Sequence, residues 1–193
     1  MKKTILSVAL AAASLTALAG GSTPVAQSSF SPFYAGVNGG ANILSGKDVI
    51  HFNTGWNVGG FLGYRFNENI RADLSLDYIR NAYSKDYKPS VYFYQYATLV
   101  NVYYDITQLS IAGLVPYVGA GLGWVYSSSN EVDTFHYNGI GWQLATGMNY
   151  NVAPNMSLGL GYRFLANHST YNGGANTADN NLINASLTYH FSM

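Results

Sequence analysis

Residues 70–79 read IRADLSLDYI, and this stretch limits the fold of the chain more tightly than any other. Ile70, Ala72, Leu74, Leu76 and Tyr78 take alternate positions, and Arg71, Asp73, Ser75 and Asp77 take those between. A helix would scatter the two sets around its circumference, whereas a strand sends them to opposite faces. The same period of two recurs at about 33–42, 56–66, 93–105, 115–126, 139–150, 156–164 and 182–191, which predicts eight strands. In 56–66 the bulky face is Trp56, Val58, Leu62, Tyr64 and Phe66, opposite Asn57, Phe61, Arg65 and glycines. In 156–164 Met156, Leu158, Leu160, Tyr162 and Phe164 oppose Ser157, Arg163 and glycines, and LGYRF stands in both segments.

The connections differ in length. Residues 67–69 (NEN) and 151–155 (NVAPN) read as short turns, and 106–114 is intermediate. Residues 43–55, 80–92, 127–138 and 166–180 read as long loops rich in Asn, Ser, Tyr, Gly and Asp. Short connections at one end of a sheet and long ones at the other are the pattern of an outer-membrane barrel. A spanning helix over the apolar run 109–126 is the competing reading, but Pro116 and Gly113, Gly119, Gly121 and Gly123 oppose it.

Which face points outward follows from bulk and charge. An eight-stranded barrel is just wide enough inside for side chains or one small ligand. Packing Trp56, Tyr64, Phe66, Tyr94, Tyr96, Trp124, Trp142, Tyr150, Tyr162 and Phe164 inward, as in a soluble barrel, would overfill it. The opposite face is built from Gly, Ala, Ser and Asn, and only 9% of residues are charged, against roughly 25% in an average soluble domain. The expected arrangement therefore turns the bulky face to lipid. Its aromatics gather in two girdles, with Trp56, Tyr78, Trp124, Trp142 and Phe164 towards the long-loop end. Tyr64, Phe66, Tyr104, Tyr150, Tyr189 and Phe191 lie towards the short-turn end, and Tyr162 lies on the same lipid face.

The first 19 residues have the form of a secretory signal peptide. Lys2 and Lys3 precede the apolar run 4–19, and Ala17-Leu18-Ala19 precedes a cut before Gly20. Residues 20–32 (GGSTPVAQSSFSP) read as a flexible leader, and 33–191 as the barrel domain. Removing the two lysines leaves seven basic against nine acidic residues, so the mature chain has no charge excess that would attract nucleic acid. With no cysteine there is no disulfide, thiolate nucleophile or cysteine metal site.

The segments PYVGAGLGW (116–124), NVAPNMSLGLGYRF (151–164) and NLINASLTYHF (181–191) resemble the eight-stranded outer-membrane barrels of Gram-negative bacteria. These are the outer membrane protein A-type transmembrane domain and the opacity-type porins and adhesins. The resemblance implies an all-β antiparallel transmembrane barrel with periplasmic termini and extracellular long loops. It implies monomeric insertion by the barrel-assembly machinery, which reads a terminal aromatic residue; here Phe191 is followed by Ser192 and Met193. No peptidoglycan-binding domain is expected after the eighth strand. Outer-membrane lipids and lipopolysaccharide are the implied surroundings, and a host or environmental ligand at the loops is the implied partner.

Arg65, Arg71, Asp73, Asp77, Gln143 and Arg163 fall on the inward face as a polar network whose opposite charges are expected to pair across the narrow lumen; Arg71, Asp73 and Asp77 share one strand, and Arg65 lies on its hairpin neighbour. Such a network reads as a plug that fixes the barrel's shape, or alternatively as the wall of a narrow ion path. Gly119, Gly121 and Gly123 are expected to leave room for Arg and Tyr side chains reaching across the lumen. His51, His136 and His168 fall in three long loops but match no metal spacing, so no metal or cofactor is expected. NHST at 167–170 is similar to the site of outer-membrane lipid A deacylases. Ser169 is adjacent to His168 rather than two residues away, though, and the next acid is Asp179. Tyr83, Tyr87, Tyr92, Phe135, Tyr137 and Tyr171 among small polar residues have the composition of binding loops, and Lys85 and Lys88 are candidates for touching lipopolysaccharide. The favoured function is a non-enzymatic structural and adhesin-like surface barrel. A narrow ion or small-solute channel and a lipid A-modifying enzyme are the alternatives.

Overall fold

The computed structural model describes residues 32–46, 54–82, 92–129, 136–171 and 174–191. The predicted signal peptide and nearly all of the leader lie outside the described residues. Eight strands follow in sequence: β1 (Phe33–Gly46), β2 (Gly55–Arg65), β3 (Ile70–Ala82), β4 (Tyr92–Asp105), β5 (Leu114–Ser129), β6 (His136–Ala153), β7 (Met156–Tyr171) and β8 (Gly174–His190). Each pairs antiparallel with the next, and β1 closes on β8, giving a closed barrel with no free edge. The segment 114–129 is a strand, so the helical reading of 109–126 fails, and no helix among the described residues is long and apolar enough to cross a membrane. Pro116 is accommodated near the start of β5, where its carbonyl accepts from the Ile106 N–H (2.8 Å).

The short-connection end is built by turn chemistry. Asn67 Oδ1 accepts from the backbone N–H of Asn69 (2.9 Å) and Ile70 (2.7 Å), closing the β2–β3 turn as an Asx turn does. Between β4 and β5 a 3-10 turn, Thr107–Leu109, leads into a tight turn where Ala112 (φ 52°) and Gly113 (φ 81°) both have positive φ. That pair of angles is what a two-residue primed turn requires, and Ile111 and Leu114 exchange both backbone hydrogen bonds around it.

At the other end the strands run further than expected. β3 continues to Ala82, and β6 begins at His136 rather than near 139. The expected loop 166–180 is instead the outer part of β7 and β8, paired from Ala166↔Asp179 to Tyr171↔Gly174. Polar residues such as Asn, Ser and Thr are compatible with strands above the membrane, where the outer face no longer meets lipid. Polarity there marks depth and not a loop.

The lipid face carries exposed apolar residues, among them Leu62, Val100, Leu122, Leu144 and Leu160 (65% exposed). At the long-loop end Trp56 meets Tyr78 (5.5 Å between ring centroids), Tyr78 meets Tyr96 (5.1 Å) and Trp142 meets Phe164 (5.5 Å), while Trp124 stands 53% exposed. At the opposite end Phe33 meets Tyr64 (5.0 Å), Tyr64 meets Phe66 (5.1 Å) and Tyr189 meets Phe191 (5.3 Å), with Tyr104 and Tyr150 exposed nearby. Phe66 and Phe191 lie just past the ends of β2 and β8. Tyr162 is tied to the outward side of β8, its hydroxyl donating to Asn181 Oδ1 (2.6 Å).

Candidate functional site in the lumen

The inward positions of β3, climbed from Arg71 to Asn81, pass through every layer of the interior. At the short-turn end Arg71 Nε donates to both oxygens of Asp105 (3.2 Å each), and Arg65 Nη1 reaches the same carboxylate at 2.9 Å. The Arg71 guanidinium carbon lies 4.2, 5.2 and 5.8 Å from the ring centroids of Tyr103, Tyr117 and Tyr34, so three aromatic faces enclose one cation. Arg71 pairs with neither Asp73 nor Asp77 on its own strand. Successive inward residues of one strand point the same way, which favours a partner on the neighbouring strand.

Asp73 is held instead by Asn101 Nδ2 (2.7 Å) and the Tyr34 hydroxyl (3.3 Å). Asn101 also donates to Ser75 Oγ (3.1 Å) and accepts from Gln143 Nε2. Higher still, Arg163 on β7 reaches Asp77 on β3 with two donors, Nη2 at 2.8 Å and Nη1 at 2.9 Å. β3 and β7 stand on opposite walls of an eight-stranded barrel, so this bidentate pair is a strut across the lumen. Asn38 accepts from Nη2 at 3.3 Å; with its amide turned so that the oxygen faces the guanidinium, Asn184 accepts at 2.8 Å. Arg163 Nε has no protein partner, and Arg163 borders a cavity of about 60 Å³ shared with Arg71, Asp73, Tyr103 and Ser186. That volume holds a few waters.

Above the strut the interior becomes apolar. Ile79, Ala97, Leu99, Val125, Leu165 and Leu182 form one cluster, none more than 1% exposed. Over it lies a layer of amides, where Asn42 Nδ2 donates to Asn81 Oδ1 (2.7 Å) and Asn180 Oδ1 (3.0 Å), and Gln95 Nε2 to Ser127 Oγ (3.2 Å). The interior is thus polar, then apolar, then polar, with no wide gap between layers. Its charges balance, Arg65, Arg71 and Arg163 facing Asp73, Asp77 and Asp105.

The six inward residues singled out in the sequence all face this interior; Tyr34, which packs on Arg71 and donates to Asp73, links the lower two clusters, and the Arg163–Asp77 pair stands above them. The sequence reading missed Asp105, the three tyrosines around Arg71 and the apolar layer. All were signalled by parity: Ile79 continues the face of Asp77, and Tyr103 and Asp105 continue that of Asn101.

The glycines of PYVGAGLGW do face inward, but what covers them comes from the neighbouring strand. Gly119 is paired with Tyr103, and a side chain there would meet that ring; Gly121 is paired with Asn101 and would meet its amide. A methyl at Gly123 would press on the backbone of Thr98 and Leu99. Tyr103 and Asn101 thus lie sideways over bare positions, whereas the Tyr117 hydroxyl extends over Gly147 and Gly161 and Arg163 crosses the lumen to Asp77.

The other chemical candidates separate. His136 opens β6 opposite Ser128, and His168 sits on β7 opposite Thr177 and Ile140, so neither is in a loop. Ser169 and Thr170 follow on the same strand, paired with Asn176 and Ala175. Tyr92, Tyr137 and Tyr171 likewise belong to strands. His51, Tyr83, Tyr87, Phe135, Lys85 and Lys88 lie outside the described residues. Among the described residues no cluster of three potential metal ligands occurs. His190 Nε2 and Ser157 Oγ lie 3.2 Å apart at the short-turn rim.

The model of the outer membrane protein beta-barrel domain matches residues 5–191. Uncharacterised proteins of Brucella abortus and Brucella suis are 26% identical over 170 residues, covering 67% of this chain and 58% of theirs. The chain therefore spans somewhat more than half the length of these curated relatives. Among solved structures, Neisserial surface protein A is 24% identical with a TM-score of 0.65, covering 82% of this chain and 97% of that one. The outer membrane protein OprG from Pseudomonas aeruginosa is 12% identical with a TM-score of 0.51, covering 83% and 98%. Both share the fold.

Proposed function

The chain belongs to the outer membrane protein beta-barrel family, and from that premise we propose that it is a closed, non-enzymatic barrel that works by presenting its long-loop end at the cell surface. It is a protein of the Gram-negative outer membrane. In this reading residues 1–19 direct export, the termini are periplasmic, and the barrel inserts as a monomer among phospholipid and lipopolysaccharide. The strand extensions of β7 and β8 and the tyrosine-bearing segments around 83–92 and 135–137 are the surface offered to a host or environmental ligand.

The observation that carries this reading is the filled lumen. A hydrated ion would have to displace the Arg163–Asp77 strut and then cross the apolar cluster of Leu99, Val125, Leu165 and Leu182. Hydrophobic constrictions oppose ion passage by dewetting, and barrels that leave a wide aqueous channel have about 16 strands or more. Planar-bilayer recording of the refolded protein tests it. A silent bilayer is expected, and discrete conductance from the native protein whose size or ion selectivity changes in a folded Asp77→Ala variant would establish the channel instead. The enzymatic alternative is tested by mass spectrometry of lipid A from cells with and without the protein, where the acyl pattern is expected to stay unchanged.

A further inference from the structure

Among the described residues, the lipid-facing side of the strands carries one cation. Arg65, Arg71 and Arg163 point inward, whereas Arg80 has the parity of Leu74, Leu76 and Tyr78 and points outward. Its register partners are Trp56 on β2 and Tyr94 on β4. The guanidinium carbon lies 4.0 Å from the Tyr92 ring centroid and 5.8 Å from that of Tyr94. Just below, Trp56, Tyr78, Tyr96 and Tyr126 continue the rings from β2 to β5.

A cation facing hydrocarbon is costly, but one at the upper edge of an aromatic girdle sits at headgroup level. No carboxylate among the described residues pairs with Arg80. The other outward charge on the described strands, Asp179, lies on β8, beyond β1 and β2. We propose that Arg80, oriented by Tyr92 and Tyr94, is a binding site for the phosphate of a phosphorylated glycolipid, the lipid A headgroup of the outer leaflet.

Three observations carry the assignment. A planar guanidinium binds phosphate oxygens with two parallel donors. Rings packed against the guanidinium restrict its orientation, so less freedom is lost on binding. Directly beneath, Val58, Leu76 and Val100 present an exposed apolar wall along which acyl chains can lie. The wall favours a phosphate anchored in lipid over one free in solution. This site rests on the proposed orientation, with the long-loop end outward.

The test uses the full mature protein folded in phosphatidylcholine nanodiscs and titrated with bisphosphorylated lipid A, dephosphorylated lipid A and inorganic phosphate. Bisphosphorylated lipid A is expected to bind most tightly. Arg80→Gln is expected to weaken it about fivefold, from roughly 1 kcal/mol per basic residue at an anionic surface, while Arg80→Lys retains part of the affinity. Heat-modifiable gel mobility confirms that each variant is folded. Equal binding by Arg80→Gln, or equal binding of the dephosphorylated lipid, overturns the site, and binding of inorganic phosphate as tight as the lipid overturns its lipid specificity. Because the chain has no cysteine, Ser90→Cys can be labelled on intact cells with an impermeant maleimide. Labelling upholds the orientation. Labelling only after the outer membrane has been opened overturns the orientation, and with it both the proposed function and this site; labelling on intact cells without an Arg80-dependent effect overturns the site alone.

Discussion

Arg163 and Asp77 are each almost fully buried, and each is the other's charge partner across the lumen. Removing one member leaves an uncompensated charge, which costs about 3–5 kcal/mol, whereas replacing both with apolar side chains is often neutral. Asp77→Ala should therefore lower the urea midpoint of the folded barrel in detergent far more than Asp77→Leu combined with Arg163→Met. Equal loss in both variants would show that the pair's geometry, and not its unpaired charge, is what matters. Gly121 gives a second prediction at this scale. A leucine there would push Asn101 off Asp73 and Ser75, and overpacking of this kind costs about 1–3 kcal/mol. Gly60→Ala is the control: its nearest neighbour to an added methyl is the Gly36 carbonyl oxygen at 3.6 Å, an ordinary contact, so its midpoint should barely move.

Single elements show what was legible in the sequence and what was not. β3 was readable because its two faces differ as sharply as side chains can, with Leu and Tyr against Arg and Asp. The outer ends of β7 and β8 were not readable, because NHST and NTADN are polar on both faces and alternation loses its contrast once a strand leaves the bilayer. The lumen fared in between. Parity placed Arg65, Arg71, Asp73, Asp77, Gln143 and Arg163 on the inner face, but which of them meet depends on register and on barrel closure, and no periodicity encodes either. The Asp105 carboxylate clamped by two arginines and the Arg163–Asp77 strut both join strands by such register. The extended hairpin is testable by hydrogen exchange. Amides in 166–171 and 174–180 that pair across β7 and β8 should exchange slowly, as laddered amides do. Exchange as fast as in a free chain would return this segment to a loop.

At the scale of the whole molecule, the outer surface is apolar and the inside is arranged in layers, and the two facts are coupled. The bulky side chains are spent on lipid, so the narrow interior is filled by fewer large residues, some laid over a glycine on the next strand, as Tyr103 over Gly119, and one, Arg163, extended across the lumen to Asp77. The result is two barriers in series, a charged strut and an apolar layer, which separate variants can remove one at a time. Replacing Arg163 and Asp77 together by alanine removes the strut but leaves Ile79, Leu99, Val125, Leu165 and Leu182 in place, so planar bilayers should stay silent. Adding Leu99→Ala, Leu165→Ala and Leu182→Ala takes the bulk out of that layer and should admit small ions as brief, discrete openings, provided heat-modifiable mobility shows the barrel still folded. Conductance from the strut-free variant alone would mean that the apolar layer hydrates readily and that Arg163 and Asp77 are the gate. The native protein would then be a channel held shut by one ion pair, not a plugged scaffold.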